Sequence, residues 1–268
     1  KLAEIQSEKR RINMIRDLIV YVNVLLMTLI FMTQSDAEID PKNIVGIWLF
    51  DEGKGEKATD SSSNGNHAVF KGKPKWVGGK FGSGLDFNGK TDYLAAPDSK
   101  SLNIINSITI VAWIKGNAYP AANHVLRKIA DAGTAAIYML RIQPETLRIY
   151  IGTVDKQVNM AGNTILKPGK WYHVAMTYDG KKIIAYLDGK VDGSLDANGK
   201  IVESRGELRI GRGEPAGYFN GVIDEVGLFN KALTEGEIKS IMIDGFESIL
   251  AVELGNKLTN TWANIKLR

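Results

Sequence analysis

The residues that could do chemistry in this 268-residue chain include carboxylates, histidines, tyrosines and arginines, and cysteine is absent. That absence excludes a thiol nucleophile, a thiolate metal site and any disulfide. The three histidines, His67, His124 and His173, lie far apart and mostly inside strand-like stretches. They read as satisfied strand histidines, and neither a transition-metal cluster nor a Ser-His-Asp order follows from them. A retaining glycosidase needs two carboxyls about 5–5.5 Å apart. Asp224 and Glu225 are adjacent, so a regular strand points them to opposite faces. The run from Asp60 to Asn66 is rich in the oxygen ligands that calcium prefers. It is not an EF-hand loop, since Lys71 stands where the twelfth position needs Glu. The same run also reads as a polar turn held by Asx-type side-chain bonds.

Sugar recognition needs exposed aromatic platforms and a few hydrogen-bonding groups. Tyr119 falls in Gly116-Asn-Ala-Tyr-Pro-Ala-Ala-Asn123, a loop without a packing period. Tyr138 and Tyr150 lie in strand-like stretches beside Arg141 and Arg148. By parity Tyr150 and Arg148 share a face, whereas Tyr138 and Arg141 do not. Tyr119, Arg141, Arg148 and Tyr150 are therefore the candidate ligand contacts. The plainer reading of the Arg–Tyr group is the solvated outer face of a hairpin. Lys71, Lys73 and Lys75 alternate, so one strand through them would set three cations on one side and Trp76 on the other. Such a stripe would either grip an acidic polysaccharide or blunt a sheet edge.

Short apolar segments separated by Gly, Asn and Asp must position these residues. The strands expected are Val45–Phe50, Gly84–Phe87, Ile108–Ile114, His124–Ile129, Ala136–Ile142, Leu147–Ile151, Trp171–Tyr178, Ile183–Leu187, Glu207–Ile210 and Val222–Phe229. Asn88-Gly89, Asp179-Gly180, Asp188-Gly189 and Asn198-Gly199 mark hairpin turns. Repeated hairpins favour two stacked antiparallel sheets over a parallel α/β sheet. Thr234 and Glu237 form a capping box that starts one helix, with Ile238, Ile241 and Met242 on its apolar face and Gly245 as its stop. Net charge is +4, from 34 basic and 30 acidic residues, too mild and mixed to imply a nucleic-acid partner. A 44% hydrophobic content with 28 Gly and 7 Pro is ordinary globular composition. Basic Lys9, Arg10, Arg11 and Arg16 precede the apolar run Leu18–Met32, and Ser35 and Ala37 suit a cut after Ala37. Residues 1–37 therefore read as a secretory signal, or else as an uncleaved anchor that gives the chain its one membrane contact. Both make the protein secreted or cell-surface.

Six stretches together resemble the LamG-like jelly-roll family of the laminin-G and concanavalin A-like lectin/glucanase class. They are Gly46-Ile-Trp-Leu-Phe-Asp-Glu-Gly-Lys-Gly55 with Ala58 to Asn66; Gly79 to Gly89; and Ile108-Thr-Ile-Val-Ala-Trp-Ile114. The rest are Gly169-Lys-Trp-Tyr-His-Val-Ala-Met-Thr-Tyr-Asp-Gly180, Ala185 to Gly189, and Phe219 to Leu233. The resemblance implies an all-β fold, a two-sheet antiparallel jelly roll over residues 38–245, followed by a tail, 246–268. It implies core positions for Trp48, Trp113 and Trp171. It also implies one structural calcium between the N-terminal region and the penultimate strand, with Asp60, Asn66 and Asp224 as its ligands. Glucanases of the class carry Glu-x-Asp-x-x-Glu. The nearest match here, Glu38-Ile-Asp-Pro-Lys-Asn43, ends in Asn and precedes every strand. The expectation is a non-catalytic exported module that binds an extracellular glycan or glycoconjugate. The alternative is a structural or adhesive surface module that binds proteins. Glycoside hydrolysis comes last.

Overall fold

The computed structural model describes residues 39–119, 122–131, 135–213, 217–247 and 249–251, and ahead of them 1, 7, 9 and 11–22. Two units are distinct, Lys1–Glu38 and Ile39–Arg268. In the first, residues 11–22 are helical. No described helix is long and apolar enough to cross a membrane. Most of the run Leu18–Met32, together with Ser35, Ala37 and Glu38, lies outside the described residues, as do 252–268 of the tail.

The second unit is built on strands β1 (Ile44–Trp48), β2 (Lys57–Ala58), β3 (Ala68–Lys71), β4 (Lys75–Gly78), β5 (Ser83–Asn88), β6 (Tyr93–Ala96), β7 (Ile108–Gly116) and β8 (Asn123–Ile129). These are followed by β9 (Ala136–Ile142), β10 (Leu147–Gly152), β11 (Gln157–Ala161), β12 (Tyr172–Tyr178), β13 (Lys182–Leu187), β14 (Lys190–Asp196), β15 (Leu208–Ile210) and β16 (Asn220–Phe229). One sheet runs β14-β13-β12-β7-β16-β5-β4, with β1 also paired to β16; the other runs β11-β10-β9-β8-β15-β6-β3-β2. Period-two alternation explains the layering. Ile108, Ile110, Ala112 and Ile114 of β7 enter the core between the sheets. Val111 points the other way, into a second apolar cluster with Ile47, Ala175 and Phe229. That cluster is capped by Leu233, Ile238, Ile241, Phe246 and Ile249, so the helix Glu235–Asp244 and the start of the tail pack on the first sheet. The capping box is present in both directions, and Gly245 is the C-cap.

The turn Asp188-Gly189 has φ +47 and +73, as a type I′ hairpin between β13 and β14 requires. The expected lysine stripe does not form. Lys71 ends β3 in one sheet and Lys75 opens β4 in the other, so no single strand carries Lys71, Lys73 and Lys75. The Asp40 carboxylate caps the short 3-10 turn Pro41–Asn43 by accepting from the Lys42 amide.

Candidate functional site

The β9–β10 hairpin sets Arg148 opposite Arg141 and Tyr150 opposite Met139. On one side β11 places Asn159 opposite Tyr150. On the other, β8 extends both rows, His124 opposite Arg141 and Arg127 opposite Met139. The alternate residues Leu147, Ile149 and Ile151, and Tyr138, Leu140 and Ile142, belong to the core. The polar set therefore faces away from it. His124 and Arg127 are three apart, and plain alternation would separate them. The pairing slips between His124 and Leu126, so β8 spends one extra residue there. Val125 and Leu126 both turn into the core. The bulge thus returns Arg127 to the face of His124. A pocket of about 270 Å³ results, lined by His124, Arg127, Met139, Arg141, Tyr150 and Asn159 among others.

His124 is 1% exposed, and neither ring nitrogen has a hydrogen-bond partner. A Cβ on Gly213 would stand 2.1 Å from its Nε2, so glycine there leaves the ring its room. Burial first, then the charges of Arg141 and Arg127, lower its pKa from 6.5 to about 3. The imidazole is therefore neutral at ordinary pH and offers one donor and one acceptor. Arg141 is held below the usual guanidinium range by burial and by Arg148. Arg148 Nε donates to the Gln143 carbonyl at 2.9 Å, which fixes its stem. The next row adds Arg209, opposite Arg127 and paired with Glu207 at 2.6 Å. Arg212 stacks on Tyr93 and Tyr218, 4.7 and 5.2 Å from their ring centres. A larger crevice of about 760 Å³ carries Asp98, Lys100, Asp131, Glu203 and Arg205. Its charges are of both signs, and two of them are engaged: Asp98 pairs with Lys128, and Asp131 accepts from the Ser204 hydroxyl and the Arg205 amide.

The other expected positions fall differently. Tyr119 is no surface contact: it is 4% exposed inside the core, and its hydroxyl accepts from the Gly116 amide at 3.1 Å. A Cβ on Gly116 would meet that ring at 2.3 Å. Burial raises the hydroxyl to about 12. Trp48 does lie between the sheets, donating to the Asn66 carbonyl. Trp113 does not. It faces outward from the first sheet against Phe81, Trp171 and His173, with the Lys80 ammonium 4.4 Å from its ring centre. His67 is satisfied, accepting from the Asp60 amide, but His173 resembles His124 in having no partner at either nitrogen.

The expected calcium set is not assembled. Asp60 spends its carboxylate on the amides of Ile47, Ser62 and Asn66 and on the Ser62 hydroxyl. The Asn66 side-chain oxygen Oδ1 accepts from the Ser99 hydroxyl. These two residues tie β1 to the segment before β3, and their oxygens do not fit a cation. Asp224 lies elsewhere, fully buried, accepting from the amides of Lys80, Phe81 and Glu225. Its neighbour Glu225 sits at φ +49 in a second bulge, 4% exposed, with Oε2 lacking a partner. Burial, opposed by the three amide bonds, raises Asp224 to about 7. Burial and the charges of Asp224 and Asp51 raise Glu225 to about 8. An oxygen-only group with mutual repulsion and one orphaned oxygen suits a hard cation in chemistry. Among the described residues no three such side chains already converge on one centre.

The concanavalin A-like lectin/glucanases superfamily matches residues 87–239 of the chain. Neuronal pentraxin-1 of Homo sapiens is 24% identical over 169 residues, covering 59% of this chain and 38% of the relative. The chain thus spans about two fifths of that relative's length. Among solved structures, the binding domain of Paraclostridial Mosquitocidal Protein 1 superposes with a TM-score of 0.63 at 14% identity, covering 77% of this chain and 53% of that one. Domain 4 of AbnA, a GH43 extracellular arabinanase from Geobacillus stearothermophilus in complex with arabinotriose, gives 0.64 at 17% identity, covering 75% and 98%. At these identities the superpositions establish the shared two-sheet fold.

Proposed function

This chain belongs to the concanavalin A-like lectin/glucanases superfamily, and from that membership we propose a non-catalytic module that binds an extracellular glycan or glycoconjugate on the outward face of β8–β11. The observation that carries the reading is the pocket there. It combines an aromatic wall, Tyr150, with guanidinium, imidazole and amide groups whose outward orientation is set by strand register. The arabinotriose complex of AbnA Domain 4 supports sugar binding as a use of this fold. A hydrolytic reading draws no support from Asp224 and Glu225. Asp224 and Glu225 are buried under residues 79–81 and beside Gly245, not across a cleft from one another. Export belongs to the same proposal, resting on the basic-then-apolar order of residues 9–32.

The test is a glycan array probed with the full chain. Specific binding is expected, and Tyr150→Ala should weaken it by about ten-fold through loss of the aromatic wall. A natively folded sample that binds no glycan would leave the protein-binding adhesive module in its place. Calcium, as part of this proposal, braces the fold through Glu225, whose Oε2 has no partner, with Asp224 beside it and the rest of the shell from backbone carbonyls and water. Millimolar calcium should then raise the melting temperature most at mildly alkaline pH, where Asp224 and Glu225 ionise. Glu225→Gln should remove that rise, and an identical melting curve with calcium and with chelator would refute the site.

A further inference from the structure

We propose that the ligand of the β8–β11 face is acidic, with its oxyanion, a carboxylate or sulfate on a sugar, seated against Arg141, which lines the pocket beside His124, and Arg148, its cross-strand partner. This rests on the binding reading above and adds the ligand's charge. Arg148 and Arg141 stand directly opposite each other in the β9–β10 register. Like charges in that relation are unfavourable unless something of opposite sign comes between them or caps them. Arg141 shows the strain, its basicity lowered by burial and by Arg148, and its Nε has no partner. No Asp or Glu is among the described residues that line the pocket. Acidic partners do occur on neighbouring cations, as Glu207 on Arg209 shows.

The second observation is His124. A buried imidazole with both nitrogens unmet, lining an open pocket, is costly unless a ligand meets it. Burial and the two guanidiniums keep it uncharged, so it adds one donor and one acceptor to the pocket. The planar guanidinium fork fits a carboxylate or sulfate through two parallel bonds. Tyr150 and Asn159 then flank the sugar ring. At about 270 Å³ the pocket suits one acidic sugar unit, below the roughly 300–1,000 Å³ of pockets that enclose whole drug-sized ligands. A polymer would lie across the face with one unit inserted.

The experiment titrates the full chain with a polyuronate, a heparin-type sulfated glycan, neutral arabinan and single-stranded DNA, each at low and at physiological salt. At least one acidic glycan should bind about ten-fold or more tightly than arabinan, and salt should weaken it. Whether uronate or sulfate binds more tightly identifies the oxyanion. Arg141→Gln and Arg148→Gln should each cost about ten-fold in affinity with the thermal transition retained, while exposed Lys54→Gln costs nothing. Should Arg141→Gln not fold, Arg148→Gln carries the test, since Arg148 is only half-buried. Equal binding of arabinan would overturn the acidic inference and leave the binding reading standing. Binding of no glycan at all would overturn both. Acidic-glycan binding unaffected in both arginine variants would overturn the site, and DNA bound as tightly as the best glycan would overturn the ligand class.

Discussion

Asp60→Asn lowers the stability of the sandwich by about 3–5 kcal/mol, and calcium does not restore it. Asp60 is 4% exposed and accepts four bonds: from the amides of Ile47 at 3.0 Å, Ser62 at 2.9 Å and Asn66 at 2.7 Å, and from the Ser62 hydroxyl at 2.9 Å. Asparagine matches the shape but replaces one acceptor with a donor that faces other donors. Two of the four bonds are lost, and each buried group left unmet costs about 1–3 kcal/mol. The bonds span β1 and the segment before β3, so the damage reaches one wall of the core near Trp48. Urea unfolding of both proteins, with calcium and with chelator, checks this. A loss below about 1 kcal/mol, or one that calcium reverses, would return Asp60 to the ligand role expected from the family resemblance.

Acid weakens the protein through two histidines, and His173→Phe removes about half of that effect. Burial lowers His173 from 6.5 to about 3, as burial and two arginines do for His124. Unfolded, each would titrate near its ordinary value. Their contribution to stability is thus present above about pH 6.5 and is lost as pH falls toward 3, since only the unfolded chain takes up the protons. By about pH 5 the loss is on the order of 2 kcal/mol per histidine, at about 1.4 kcal/mol per unit. Asp224 and Glu225 act in the opposite sense. Raised to about 7 and 8, they favour the fold when protonated and weaken it as pH rises from about 4. Without divalent cations the profile therefore peaks between the two arms. Phenylalanine keeps the ring against Trp113, 5.3 Å away in the native pair, and discards two unmet nitrogens. Stability of His173→Phe near pH 7 should equal or exceed that of the parent, with a shallower acid arm in chemical unfolding. An acid arm of unchanged slope would show that His173 does not titrate as its burial requires.

Much of this protein is legible in one dimension because the forces concerned are local. Apolar alternation marks β7, β9, β10 and β16 to within a residue or two, since a strand with one face in the core must repeat with period two. Asp188-Gly189 and the Thr234–Glu237 box are decided within four residues, and both form as expected. The pairing of Arg148 with Tyr150 on one face follows from the same parity. The strands β2, β3, β4, β6, β11 and β14 were not legible. Most are short, and β2, β4, β11 and β14 lie at sheet edges, where half-exposed residues leave little apolar pattern.

What tertiary structure alone decided is which residues meet. Sequence parity puts His124 and Arg127 on opposite faces; one extra residue at Val125, accommodated because Leu126 also finds the core, puts them together. Tyr119 carries the marks of an exposed loop, yet the room beside Gly116 and a bond to its amide draw the ring inside. Asp60 has the composition of a calcium ligand, but nearby amides claim its oxygens before a cation can. Local pattern determines whether a segment is a strand and which side of it is apolar. Bulges, cross-strand partners and close packing are settled between segments far apart in the chain, and the binding face is made from those.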